Sequence, residues 1–116
     1  MKLSMMINYI SDFQTSAKRV AELEKVGLDM VWVAEAYSYD AISQIGYLAA
    51  VTERVQIGTG IINVFSRTAA LTAMTAAGCD YVSNGRFVLG LGASGPQVIE
   101  GFHGVPYEKP MQRTKE

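Results

Sequence analysis

Apolar and polar positions change along the chain in blocks that predict alternating strands and helices. Four short runs, at residues 2–8, 29–35, 55–62 and 86–92, are apolar with few polar interruptions, as parallel strands covered by helices are. The segments after the first three runs are predicted to be helical, most clearly where apolar side chains recur at helical spacing. The predicted strands begin 26 to 31 residues apart, which is the length of one strand–helix unit.

The predicted helices have recognisable ends, because a helix begins after a side chain that can accept hydrogen bonds from its first free N–H groups. Glycine or asparagine, which can adopt the left-handed conformation, follows two of these helices. The first predicted helix is residues 14–26, with N-cap candidates Ser11, Asp12 and Thr15 and with Gly27 after its last turn. The second runs from Asp40 to about Thr52. The third runs from Thr68 to Val82 and is followed by Asn84 and Gly85. Residues 111–116 look like the start of a further helix.

Two α/β architectures fit this alternation. One is the N-terminal half of a (β/α)₈ barrel, that is, four strand–helix units of a fold that needs eight strands to close. The other is a small open, doubly wound parallel sheet. Right-handed crossovers serve both, so the pattern by itself leaves the choice open.

Composition and charge exclude several classes of function. Hydrophobic residues make up 49% of the 116 residues, which allows a packed core, and the formal net charge is −1. The 10 Lys and Arg residues are scattered, so the basic face that nucleic acid requires is not predicted. The single cysteine, Cys79, cannot form a disulfide within the chain and has no predicted metal-binding partners nearby. No signal peptide or membrane-spanning run is recognisable, so we expect a cytoplasmic protein without a membrane partner or a metal.

In either architecture, ligands bind where parallel strands end at their carboxyl termini. This rule selects four segments that are distant in sequence: Asn8 and Tyr9, Glu35 to Tyr37, Gly60 to Phe65, and Gly92 to Gln97. Glu35 ends an apolar strand and is either a solvated or helix-capping acid, or an acid that faces a pocket and binds a cofactor or transfers a proton. Gly58 and Gly60 are unusual inside a strand and predict a bulge or a close approach, with Gly60 and Ile61 as the candidate bulge.

The segment Gly90 to Gly95 reads GLGASG, a literal GxGxxG after a strand. A dinucleotide-binding turn is one interpretation, but that turn belongs to the first strand–helix unit, and three units precede this one. The other interpretation is a glycine-rich loop at the mouth of a barrel. Cys79 is expected to be an unreactive helix thiol, and His103, the one histidine, to be structural or solvent-facing more readily than catalytic.

The strings GLDMVWVAEAYSYDA, TERVQIGTGII and SNGRFVLGLGASGPQVIEGFHGVPY resemble the luciferase-like family of flavin- and F420-dependent oxidoreductases, in order and over essentially the whole chain. The resemblance implies a TIM barrel, of which this chain would be the N-terminal portion, residues 1–116. Two unpaired strand edges would then be exposed, so we expect a fragment of a longer enzyme. The loop GLGASGPQVIEG is most similar to the F420-dependent subgroup.

The resemblance also implies cofactor contacts, which fall on Glu35, Gly60, Ile61, Asn63, Ala93 and Ser94. Family members often have a cis peptide bond and a bulge at the end of the third strand, matched here by Gly60 and Ile61. Related sugar-phosphate dehydrogenases have a catalytic histidine where this chain has Ala36 and a catalytic glutamate where it has Gly95. No catalytic acid or base is therefore assigned, and oxidation of a sugar phosphate is not expected.

The leading hypothesis is an oxidoreductase that transfers a hydride to or from coenzyme F420 on a small-molecule substrate, with a homodimer expected for the full-length protein. An FMN-dependent monooxygenase of the same family is the first alternative. The second alternative is a non-catalytic half-barrel that acts through self-association.

Overall fold

A computed structural model describes residues 1–7 and 12–116. Asn8 and Tyr9, proposed as a strand end, and Ser11, proposed as an N-cap, lie outside the described residues. The elements follow one another as β1 (Ser4–Ile7), α1 (Phe13–Lys25), β2 (Met30–Val33), α2 (Ala41–Val51), β3 (Gln56–Thr59), β4 (Ile62–Asn63), α3 (Ala69–Val82), β5 (Phe87–Val88), β6 (Leu91–Gly92), α4 (Pro96–Ile99) and α5 (Pro110–Lys115).

The strands form parallel sheets whose order follows the chain. The larger sheet has the order β1-β2-β3-β5, and β4 pairs with β6 in a second, two-stranded sheet. Register is continuous across the larger sheet, with Met5 beside Val31 and Val31 beside Ile57. The order does not reverse anywhere in the described strands, whereas a doubly wound sheet reverses at its ligand-binding crevice. The arrangement is therefore that of four consecutive units of a (β/α)₈ barrel, as predicted.

The predicted third and fourth strands are each divided in two, which corrects the single strands expected at 55–62 and 86–92. The third is interrupted at Gly60 and Ile61, which are joined by a cis peptide bond. The fourth is interrupted beside it, at Gly90, where the Thr59 hydroxyl bonds to both backbone groups and the Gly90 carbonyl also accepts from Ile62 N–H at 3.0 Å. The Thr59 hydroxyl oxygen accepts from the Gly90 N–H at 2.8 Å, and the same hydroxyl group donates to the Gly90 carbonyl at 3.0 Å. One side chain thus satisfies both backbone groups of Gly90 where the regular ladder stops.

The predicted helices are confirmed within one or two residues, together with their caps. The carboxylates of Asp12 and Asp40 accept from the N–H groups of Gln14 and Ser43, and the Thr68 hydroxyl accepts from Leu71 N–H. Gly27 and Gly85 have positive φ angles of 106° and 75° just after α1 and α3. Within the described residues, no helix is long and apolar enough to cross a membrane.

The main core lies between the larger sheet and its helices. It contains the strand residues that face the helices, such as Val31 and Ile57, and the facing residues of the helices, such as Val20, Ile45 and Leu48, all at 0% exposure. A second, smaller cluster lies at the other end of the chain, where Val64, Phe65 and Ile99 pack together with Ala93 and Tyr107. The second cluster fixes the loops that follow β4 and β6.

Two charged side chains close the N-terminal ends of the strands. The Glu24 carboxylate, which is 7% exposed, accepts from the backbone N–H groups of Glu53, Arg54 and Val55. The Arg86 guanidinium donates to backbone carbonyls around the end of α2 and the start of β3, those of Ala49, Thr52 and Val55, and Arg86 Nε donates to the carbonyl of Ser83. These contacts explain why the sequence needs an acid in α1 and an arginine before β5.

Candidate active site

The C-terminal ends of the second, third and fourth predicted strands are joined by backbone hydrogen bonds. Glu35 N–H donates to the Ile61 carbonyl at 3.3 Å, and Gly60 N–H donates to the Val33 carbonyl at 2.8 Å. Asn63 is paired with Gly92 in the second sheet, and Val64 N–H donates to the Gly92 carbonyl at 3.0 Å. The predicted segments that begin at Glu35, Gly60 and Gly92 therefore share one end of the barrel.

Glu35 is held in place from two sides. Its carboxylate forms two hydrogen bonds with the Arg67 guanidinium, at 2.7 Å to Nη1 and 2.8 Å to Nη2, and it also accepts from Ala41 N–H at 3.1 Å at the start of α2. The two side chains are 8% and 14% exposed. Of the two interpretations offered for Glu35, a helix-capping acid and an acid facing a pocket, the structure shows features of both.

The pairing determines the charge of Glu35. Burial acts to raise the pKa of its carboxyl group, but the hydrogen bonds from Arg67 and Ala41 and the positive charge of Arg67 outweigh burial, and the pKa lies below its ordinary value of 4.5. Glu35 is therefore ionised at neutral pH. It can accept hydrogen bonds but cannot act as a proton donor there.

A hollow of about 350 Å³ opens beside this ion pair. Its walls combine the ion pair with aromatic side chains from the loops after β2 and after α4: Glu35, Ala36, Tyr39, Arg67, Phe102 and His103. Phe102 lies edge-on to both Tyr37 and His103, with ring centres 5.5 Å and 5.1 Å apart. The volume lies within the range of small-molecule sites.

Asn63 lies behind the hollow and is 2% exposed. Its side-chain oxygen accepts from Phe65 N–H at 3.1 Å and from Ser66 N–H at 2.7 Å, which fixes the loop that carries Arg67. Its amide nitrogen lies 3.3 Å from Nε2 of His103. His103 is thus brought to the predicted cofactor residue Asn63, a contact that its place in a glycine-rich loop did not reveal.

Gly60 and Ile61 do not line this hollow. A Cβ atom on Gly60 would lie 3.7 Å from the Met6 side chain and 3.8 Å from that of Trp32, so the bulge faces apolar groups of the inner sheet surface. Met6 is 59% exposed there. The end of the barrel therefore presents an apolar surface at the bulge and a polar hollow at Glu35.

Ala93 and Ser94 are near this end but do not line the hollow either. Ala93 packs against the smaller core cluster, and Ser94 adopts a left-handed conformation with φ 56° and accepts at its carbonyl from the Tyr107 hydroxyl at 3.2 Å. The glycines before them have packing roles. A Cβ atom on Gly90 would overlap the Thr59 carbonyl oxygen, and one on Gly92 would overlap the Ile61 side chain. Close strand pairing accounts for the first two glycines of the motif, which lie where the third and fourth predicted strands meet.

Two arginines at this end were missed by sequence reasoning. Arg67 precedes the N-cap of α3, and Arg113 in α5 donates from Nε to the Val64 carbonyl at 3.0 Å and from Nη2 to the Arg67 carbonyl at 3.1 Å. A local pattern cannot identify them, because each reaches partners more than 30 residues away in sequence. The available signal was indirect: a nearly buried acid such as Glu35 requires a cationic partner.

Cys79 is buried in α3, and burial raises the pKa of its thiol despite the positive charge of Arg67. It therefore has the properties of the unreactive helix thiol that was predicted. Among residues 1–7 and 12–116, no three His, Cys, Asp or Glu side chains converge as metal ligands would.

Comparison with known proteins identifies the family to which this fold belongs. The chain belongs to the luciferase-like monooxygenase family, which it matches over residues 1–116. It is 42% identical over 118 residues to the Mycobacterium tuberculosis protein named "Putative coenzyme F420-dependent oxidoreductase Rv3520c", covering 100% of this chain and 34% of that protein. It is 37% identical to the 5,10-methylenetetrahydromethanopterin reductase of Methanolobus tindarius, covering 80% of this chain and 28% of that protein. The chain thus spans about a third of the length of these curated relatives.

Solved structures agree on the fold. The coenzyme F420-dependent tetrahydromethanopterin reductase of Methanopyrus kandleri matches with a TM-score of 0.80 at 23% identity, over 90% of this chain and 30% of that chain. The FMN complex of the oxygenating constituent of 3,6-diketocamphane monooxygenase from Pseudomonas putida matches with a TM-score of 0.83 at 17% identity, over 99% and 37%. The first of these proteins is described as F420-dependent and the second contains FMN, so these matches establish the half-barrel and not the cofactor.

Proposed function

We propose that this chain forms the N-terminal half of the barrel of an F420-dependent oxidoreductase, in which Glu35, Gly60, Ile61, Asn63, Ala93 and Ser94 contribute to cofactor binding. The observation that carries the proposal is that Glu35, the Gly60–Ile61 bulge, Asn63 and Gly92 are hydrogen-bonded neighbours at one end of the sheet. The similarity to the M. tuberculosis protein supports F420 over FMN. The substrate is a small organic molecule whose identity is open.

The residues present fit a planar ring that is apolar on its face and polar at its edge. The bulge at Gly60 borders Met6 and Trp32, which offer an apolar surface. Glu35 and Arg67 offer an ionised acceptor and a donor nearby, held rigidly by their mutual hydrogen bonds. When bound, the deazaflavin supplies the hydride chemistry. The residues of this chain would hold the ring and the substrate in contact and exclude water.

The test is a spectral titration of the complete protein with F420 and, separately, with FMN. We expect F420 to bind more tightly than FMN. Glu35→Gln keeps the shape of the side chain but removes its charge, and we expect F420 affinity to fall about tenfold or more, because hydrogen bonds to charged groups contribute about 1.5–3 kcal/mol. Glu22→Gln, on the exposed side of α1, is the matched control and should leave F420 affinity unchanged.

Tight FMN binding with no F420 binding would overturn the choice of cofactor. Unchanged F420 affinity in Glu35→Gln would remove Glu35 from the site even if F420 is the cofactor.

A further inference from the structure

The hydrogen-bond network around Asn63 fixes the protonation pattern of His103. The Asn63 side-chain oxygen is identified by the two backbone N–H groups that it accepts, from Phe65 and Ser66. The other end of the amide is therefore the NH₂ group, which can only donate. Since this NH₂ group lies 3.3 Å from His103 Nε2, that ring nitrogen must be the acceptor. The proton of a neutral imidazole is then on Nδ1.

The Nδ1–H group of His103 has no hydrogen-bond partner among the described residues, although the ring lines the 350 Å³ hollow. Several other polar groups of this hollow already have partners within the chain. Glu35 and Arg67 bond to each other, and Asp40 caps α2 through Ser43 N–H. The hollow therefore offers the His103 Nδ1–H group beside the aromatic ring of Phe102, together with the hydroxyl groups of Ser38 and Tyr39.

We propose that His103 recognises the substrate by donating a hydrogen bond from Nδ1 to an acceptor oxygen, and that the substrate is an aryl or similarly planar carbonyl compound. The aromatic side chains of the hollow suit the planar part, and the imidazole N–H suits the carbonyl oxygen. Asn63 is a positioning residue in this arrangement, because it sets the tautomer and does not itself touch the substrate. The inference rests on the proposed function, since it assigns the hollow beside the cofactor residues to the substrate.

The tautomer is tested first, in the complete protein without ligand. In ¹⁵N–¹H correlation spectra of histidine-labelled protein, the signals lost in His103→Gln identify the ring. We expect the proton on Nδ1 and none on Nε2. In Asn63→Asp, the carboxylate replaces the NH₂ donor by an acceptor, and we expect the proton to move to Nε2. A proton on Nε2 in the unmodified protein would overturn the inference.

Recognition is tested with acetophenone and with α-methylstyrene, which has a CH₂ group in place of the carbonyl oxygen. We expect acetophenone to bind about threefold to tenfold more tightly, the usual worth of one neutral hydrogen bond. His103→Phe should abolish this preference, and His103→Leu provides a second variant without a donor if the first does not fold. A preference that persists in both variants, or is absent from the unmodified protein, would overturn the inference.

The two proposals fail differently. If F420 does not bind but acetophenone is still preferred in a His103-dependent way, the proposed function is wrong and the donor role stands as ligand recognition. If F420 binds normally but the preference is absent, the donor role is wrong and the proposed function stands.

Discussion

At the N-terminal ends of the strands, Glu24 and Arg86 bond mainly to backbone atoms, whereas at the C-terminal ends Glu35 and Arg67 form a bidentate ion pair with each other. Glu24 satisfies three N–H groups of the loop before β3, and Arg86 satisfies carbonyls around the end of α2. Glu35 and Arg67 instead border an open hollow. The difference agrees with the proposed function, in which Glu35 and Arg67 serve ligand binding, because the active sites of TIM barrels lie at the C-terminal ends of the strands.

The largest expected effect is from Glu24→Ala. Three backbone N–H groups, of which that of Val55 is buried, would lose a charged acceptor, and a hydrogen bond to a charged group contributes about 1.5–3 kcal/mol, so the free energy of unfolding should fall by about 3 kcal/mol. Urea unfolding of the complete protein measures it, with Glu22→Ala on the exposed side of the same helix as the control. A loss no larger than that of the control would show that Glu24 does not close this end. F420 affinity should be unchanged in Glu24→Ala protein that remains folded.

Arg86→Lys should have a smaller effect, about 2 kcal/mol, because lysine keeps the charge but not the planar fork that reaches several acceptors. Arg86 donates from Nε to Ser83 and from both terminal nitrogens to acceptors near α2, and one ammonium group cannot replace all of these contacts. Thermal unfolding measures the change. If the lysine variant were as stable as the unmodified protein, charge alone would account for the role of Arg86.

Of the three changes, mild acid should have the smallest effect on the free energy of unfolding. Burial raises the pKa of the Glu24 carboxyl, but the N–H groups of Glu53, Val55 and Arg54 outweigh it, and the pKa lies below its ordinary value of 4.5, as it does for Glu35. A carboxyl whose pKa is lowered by folding stabilises the folded state above its unfolded pKa. Unfolding free energy should therefore change little from pH 7 to 5 on account of these groups.

Stability should then fall as the pH is lowered through 4.5 and towards the lower folded pKa values of Glu24 and Glu35. Urea unfolding at each pH measures this, and Glu24→Gln should flatten the acid part of the curve. A curve for Glu24→Gln that is parallel to that of the unmodified protein would contradict this origin of the acid dependence.

Most of the fold could be predicted from the sequence, because the helices and their ends depend on local signals. Asp12, Asp40 and Thr68 cap helices through atoms two or three residues away, and periodicity predicted α1, α2 and α3. The division of the fourth strand was missed because it involves the Thr59 hydroxyl, which bonds to both backbone groups of a residue 31 positions away.

The candidate site was predicted only in part for the same reason. Glu35 stood out as an acid at the end of an apolar strand, but nothing local indicated that Arg67 would be its partner. The link between Asn63 and His103 spans 40 residues and depends on the path of the loop after α4. The roles of Gly60, Ile61, Ala93 and Ser94 in cofactor binding remain predictions.

The central claim is that the C-terminal ends of these strands form the cofactor site. A crystal structure of the complete protein with F420 tests it most directly. We expect the deazaflavin ring to bind at this end, in contact with Glu35 and with the bulge at Gly60 and Ile61. A ring bound at the N-terminal ends, near Glu24 and Arg86, or held with no contact to Glu35 or to the bulge, would contradict it.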